Sequence, residues 1–105
     1  MTRQCNECGS TFTPKRSSAR FCGSACRKAY NNRRMTRGAV LYDAFMALRF
    51  DRAAADEAGL DYKTVCRIGE MFRNEDVRAG RDAVPSAKDF MHEHRAEINA
   101  RQGRV

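Results

Sequence analysis

Cys5, Cys8, Cys22 and Cys26 fall as two close pairs within the first quarter of a 105-residue chain. Each pair can turn two sulfurs toward one point, and a structural Zn²⁺ takes four such ligands at about 2.3 Å in a tetrahedron. A chain of this length buries less than about 70% of its unfolded surface, so its core alone is a modest source of stability. A bound structural zinc contributes on the order of 10–16 kcal/mol of apparent free energy at neutral pH, comparable to the whole stability of an ordinary domain. The first thirty residues are therefore expected to depend on one Zn²⁺.

The residues around the cysteines specify how the pairs are presented. Gly9 follows the first pair and suits a turn that needs positive φ, which makes Cys5–Gly9 a knuckle in outline. Ser10–Thr13 and Ala19–Phe21 are short β-prone runs around Pro14-Lys15-Arg16-Ser17-Ser18, which predicts a hairpin between the two pairs. Phe12 and Phe21 would then cover the metal. Ser24 is a good N-cap, and Ala25–Tyr30 is a run able to start a helix with Cys26 in its first turn. Knuckle, hairpin and helix in that order predict a treble-clef finger. Disulfides are the weaker reading, because the chain opens Met1-Thr2-Arg3-Gln4 without an apolar signal segment, and a cytoplasmic, reducing location is expected. A redox Cys-x-x-Cys would sit beside a βαβ pattern, and four thiolates also suit iron–sulfur chemistry, so both stand as alternatives to zinc. Cys66, far downstream, is expected as a small buried apolar residue.

Cys5-x-x-Cys8-Gly9, Phe12 and Arg20-Phe21-Cys22-x-x-x-Cys26-Arg27 resemble the small treble-clef fingers of bacterial and phage proteins, similar to the CGNR and the TRASH or MYND-like groups. The first of these groups implies DNA binding, the others metal handling or protein contacts. The likeness covers residues 5 to about 34, and Cys26-Arg27-Lys28 stands where the CGNR group has its name-giving run.

The net charge of +7 is concentrated in this segment. Residues 1–37 hold nine Lys or Arg (Arg3, Lys15, Arg16, Arg20, Arg27, Lys28, Arg33, Arg34 and Arg37) against one acid, Glu7, whereas the rest of the chain is close to neutral. Such a patch attracts polyanions, and each phosphate it neutralises contributes through counterion release. Arg27, Tyr30, Asn31 and Arg34 share one helical stripe. It offers charge for phosphates, a ring able to stack and an amide able to pair with a base edge.

Residues 37–105 read as helices. Thr36 is a candidate N-cap for a helix over about 37–50, with Val40, Leu41, Ala44, Phe45, Leu48 and Phe50 on its apolar face. Asp51 is placed to cap a second helix, 52–58, closed by Gly59. A third is expected over about 62–73 with Val65, Ile68 and Phe72 inward, then a loop from 75 to 85. A last helix runs over about 86–100 with Ala87, Phe90, Met91, His94 and Ile98 on one side, and a frayed tail covers 101–105. Within this region, residues 52–73 resemble a helix-turn-helix, with Ala55, Gly59 and Val65 at suitable places. The resemblance implies that Tyr62, Lys63, Thr64 and Arg67 face a major groove. The expected fold is thus small, α-rich α+β: a Cys₄ treble-clef finger over 1–36, followed by about four α-helices over 37–105.

Catalysis is not expected. His92 and His94 are two residues apart on the last helix and face different sides, unlike the i, i+4 pair that shares a metal. The histidine-based nuclease chemistry that a treble clef can carry needs histidines in the finger, and residues 1–50 contain none. With no run of eighteen apolar residues, no membrane span is expected. The expected function is zinc-dependent nucleic-acid binding, to DNA above all and with RNA as a variant, in a small regulator. The alternative is a docking platform for an acidic protein. The apolar faces of 37–50 and 86–100 are also candidates for pairing with a second copy.

Overall fold

The computed structural model describes residues 1–82 and 84–102; the end of the predicted frayed tail, 103–105, lies outside them. Two short strands, β1 (Arg3–Gln4) and β2 (Thr11–Phe12), precede four helices: α1 (Ser24–Phe50), α2 (Arg52–Ala58), α3 (Tyr62–Arg78) and α4 (Ala87–Gln102). The strands are antiparallel, with Arg3 opposite Phe12 and Gln4 opposite Thr11.

The strand pair therefore brackets the first cysteine turn, and no hairpin forms between the two cysteine pairs. Residues 19–21 are not a strand because their backbone is committed elsewhere. The Arg20 carbonyl accepts the Asn6 N–H at 2.9 Å, and the Ala19 carbonyl accepts the Arg3 guanidinium at 2.9 Å. The segment is pinned beside the knuckle by single bonds instead of a ladder.

The finger helix and the helix expected from residue 37 are one continuous rod of 27 residues, so the described residues hold four helices instead of five. No proline interrupts Ser24–Phe50, and Thr36 does not cap: its hydroxyl donates to the Asn32 carbonyl one turn back, at 3.1 Å, a bond that leaves a threonine inside a helix satisfied. The boundary expected after residue 36 falls inside this rod. Ser24 likewise lies in α1, whose N-cap is Gly23 with no side-chain cap.

The rod ends at Asp51, which also occupies the N-cap position of α2, although its side chain makes no capping bond. Gly59 closes α2 at φ 78°, and the Leu60 N–H returns to the Ala55 carbonyl at 2.8 Å, a left-handed stop that glycine adopts without steric cost. Asp61 then caps α3 by accepting the Thr64 N–H at 2.8 Å. α3 continues to Arg78, past the expected end near 73, and is closed by Ala79.

α1 is the spine against which α2 and α3 each pack, while α2 and α3 do not pack on one another. The close helix crossing that a helix-turn-helix requires is thus not formed. Leu48 and Ala55 are buried where α2 meets α1. Arg37 joins α1 to α3, with its guanidinium 4.9 Å over the Phe72 ring and bonded to Asp76 and Glu75 at 2.9 and 2.8 Å. The expected apolar face of 37–50 is only partly used: Leu41 and Ala44 turn inward, whereas Val40, Phe45 and Phe50 are exposed. Cys66, expected to be buried, is exposed on α3. No described element packs against α4.

Candidate metal centre

The first cysteine pair is carried by a turn closed on itself. The Cys5 N–H donates to the Ser10 carbonyl at 2.8 Å and the Gly9 N–H to the Cys5 carbonyl at 2.9 Å, with Gly9 at φ 77°. The second pair enters from the start of α1, with Cys22 just before the helix and Cys26 in its first turn. The sulfur-bearing atoms of Cys5, Cys8, Cys22 and Cys26 all lie within 4.8 Å of one another. Cys22 Sγ stands 3.7 Å from Cys8 Sγ and 3.6 Å from Cys26 Sγ. A tetrahedral thiolate site with bonds of about 2.3 Å spaces its sulfurs about 3.8 Å apart. The four cysteines are therefore placed to hold one metal ion.

The local electrostatics divide the four thiols. Burial of Cys5 opposes its thiolate, but the backbone N–H groups of Cys8, Cys22 and Glu7 outweigh it and lower the pKa to about 6; the Cys22 N–H lies 3.3 Å from the sulfur. Hydrogen bonds from the Ser10 side chain and backbone lower Cys8. Its bond to the Cys22 sulfur and its burial push Cys26 up to about 12. At Cys22 the bond with Cys26 favours the thiolate, yet the neighbouring Cys8 and Cys5 sulfurs prevail and raise its pKa. Four negative sulfurs this close cannot coexist without a cation, and a bound metal ion displaces the remaining protons.

The centre is braced from outside by charged groups. Glu7, between the first two cysteines, receives a two-pronged bond from Arg33 of α1 at 2.8 and 2.6 Å. That bond is the main reason the Glu7 pKa is lowered. On the other side the connection after α3 rests on the turn: the Asp82 N–H donates to the Asn6 carbonyl at 3.0 Å, and a Cβ on Gly9 would meet the Gly80 carbonyl at 3.7 Å. Arg81 in this connection bonds buried Asp76 at 2.8 Å. Short-range patterns carry no signal for Glu7–Arg33 and Arg37–Asp76, because these partners stand 26 and 39 residues apart, and all five residues, Arg81 included, are of types ordinary on a surface.

The basic residues separate into two groups. Arg33 and Arg37 face inward and are engaged by carboxylates. Tyr30 is buried, with its ring 5.1 Å from that of Phe21, and so is not a free stacking platform; Phe21 packs on this ring. Lys15, Arg16, Arg20, Arg27, Lys28, Asn31 and Arg34 are exposed. Lys15, Arg16, Arg20 and Arg27 line a cleft of about 590 Å³ between residues 12–21 and the start of α1. On α3, Lys63 and Arg67 are exposed and outside that cleft. The Thr64 hydroxyl lies 2.8 Å from the Asp61 carboxylate and 3.3 Å from the Gly59 carbonyl and so serves the cap of α3. Among the described residues no helix is long and apolar enough to cross a membrane. Comparison with protein-family models, curated proteins and solved structures found no match to this chain.

Proposed function

We propose that the chain is a zinc-stabilised nucleic-acid-binding protein that grips the phosphate backbone, of DNA above all, in the basic cleft beside its metal centre. The observation that carries this reading is the cleft itself, where Lys15, Arg16, Arg20 and Arg27 converge on a helix start that has no acidic residue in its first turn. The amide groups at a helix start favour negative charge, and four cations beside it suit phosphates in series. Lys28, Asn31 and Arg34 extend the exposed polar surface along α1.

Zn²⁺ is the metal that best suits four thiolates converging on one point. An iron–sulfur cluster distributes its cysteines over several iron atoms, and sulfurs gathered within 4.8 Å suit a single ion better. One pair on a turn and one at a helix start is the treble-clef way of presenting ligands, here with the strand pair around the knuckle. The metal holds residues 12–21 against α1 and so sets the width of the cleft.

The test is a mobility shift with duplex DNA and single-stranded RNA at two salt concentrations, on protein of measured zinc content. Binding should weaken steeply with salt, and Arg16→Ala with Arg27→Ala should lower affinity on all sequences and flatten the salt dependence by about one unit per lost phosphate contact. Absence of binding to either nucleic acid at low salt would falsify the proposal. A protein partner captured through the same arginines after nuclease treatment would replace nucleic acid with an acidic protein surface.

A further inference from the structure

The molecule exposes much more surface than a folded chain of its mass. Its accessible area is 8574 Å², against about 5,900 Å² for a compact monomer of 11.9 kDa. Its radius of gyration is 17.2 Å, against about 13 Å for a domain of this length. The excess, about 2,600 Å² per chain and so about 5,200 Å² for two, reaches the upper end of what an obligate dimer buries in total. Part of it lies on α4, which no described element covers and which leaves Phe90 50% exposed and Met91 and Ile98 each 37% exposed.

A matching concavity lies between α1 and α3. It has a volume of about 270 Å³, and its lining includes Leu41, Phe72 and Val84, with Arg34 and Arg73 at its edge. Gly38 and Gly69 leave it open, since a Cβ on either would meet nothing within 4 Å. Arg34 and Arg73 have no carboxylate partner among the described residues. On α4, Asp89, Glu93 and Glu97 recur every four residues beside Phe90 and Ile98, so an acidic row flanks the apolar one. Apolar row and acidic row on α4 complement apolar floor and arginine edge in the groove.

The chain's own α4 is badly placed to fill this groove. Val84 and Pro85 already line it, and α4 begins two residues later under the Ser86 cap, whose hydroxyl accepts the Asp89 N–H at 3.2 Å. Turning α4 back over Val84 and Pro85 would unwind its first turn. We infer that α4 of one copy docks, through Phe90, Met91 and Ile98, in the α1–α3 groove of a second copy, and reciprocally, to form a two-fold homodimer. This inference does not rest on the nucleic-acid reading, with which it shares only Arg34 at the groove's edge, and is tested without nucleic acid.

The experiment is sedimentation equilibrium of the full metal-loaded chain and two variants, with helix content followed by circular dichroism. The wild type should reach about twice 11.9 kDa at micromolar concentration. Gly69→Leu fills the groove and favours helix; Phe90→Asp spoils α4. Each alone should be monomeric, and a mixture of the two should recover a dimer, because one intact groove and one intact α4 remain. A monomeric wild type would overturn the inference. So would dimers that persist in both single variants, which would place the contact on another face, such as the exposed Met35, Tyr42 and Phe50 side of α1.

Discussion

Asp76 shows how much a single side chain holds here. It is 5% exposed and bonded by Arg37 from α1 and Arg81 from the connection after α3. Burial works against its carboxylate, but the two guanidiniums prevail and lower its pKa. Asp76→Asn should destabilise the chain by about 3 kcal/mol, since two part-buried guanidiniums lose their counter-ion, and urea unfolding of the metal-loaded protein measures it. Because the folded pKa lies below the unfolded one, the stabilisation is complete above the ordinary aspartate range, about 4, and is lost as pH falls through the folded value. The gap between wild type and Asp76→Asn should therefore close below about pH 4 and stay constant above pH 5. Glu7 and Arg33 act in the same way on the metal centre. Arg33→Ala should weaken metal affinity about 10-fold, as loss of an outer bracing group does, in competition with a chromogenic chelator.

Among the elements, α2 is legible in the sequence to the residue, because Gly59 is a stop signal with a local cause. Gly59→Ala should cost about 1 kcal/mol, since alanine at φ 78° is strained. Gly38→Ala should do the opposite and raise the stability of the single chain by about 0.5–1 kcal/mol, because within one copy its Cβ meets nothing within 4 Å; thermal melts of the two variants, at a concentration that keeps the chain monomeric, check both signs. The long rod α1 reads in sequence as two helices, since Thr36 looks like a cap whenever only its neighbours are considered. Its hydroxyl bond to Asn32 is equally local, but the choice between cap and helix interior is made by Arg33 and Arg37, which bind partners on either side of it. The hairpin between the cysteine pairs failed for a similar reason: β propensity at 19–21 is weak compared with bonds to Asn6 and Arg3.

At the scale of the molecule, the cysteine cluster and the helices are one coupled structure. The knuckle contacts the connection after α3 through Asn6 and Gly9, and α1 runs from the cysteines to α2. Removing the metal with a chelator should therefore unfold the first thirty residues and also speed hydrogen exchange at the Asp82 amide, which mass spectrometry of peptic fragments detects. Protected Asp82 in the stripped protein would show the two regions to be independent. Metal uptake at neutral pH should release protons from Cys22 and Cys26, and affinity should fall as the solution is acidified.

Thiol chemistry, positive charge and helical periodicity are properties of residue types at short spacings, and so the cysteine cluster, the basic segment and the presence of helices followed from the chain alone. Which arginines point inward, that Tyr30 packs at a tilt on Phe21 instead of facing outward, and that α2 and α3 pack on α1 instead of on each other depended on partners up to 39 residues apart. Local patterns carry no record of such partners. Burial and ion pairing are settled by which surfaces meet, and only the folded arrangement decides that.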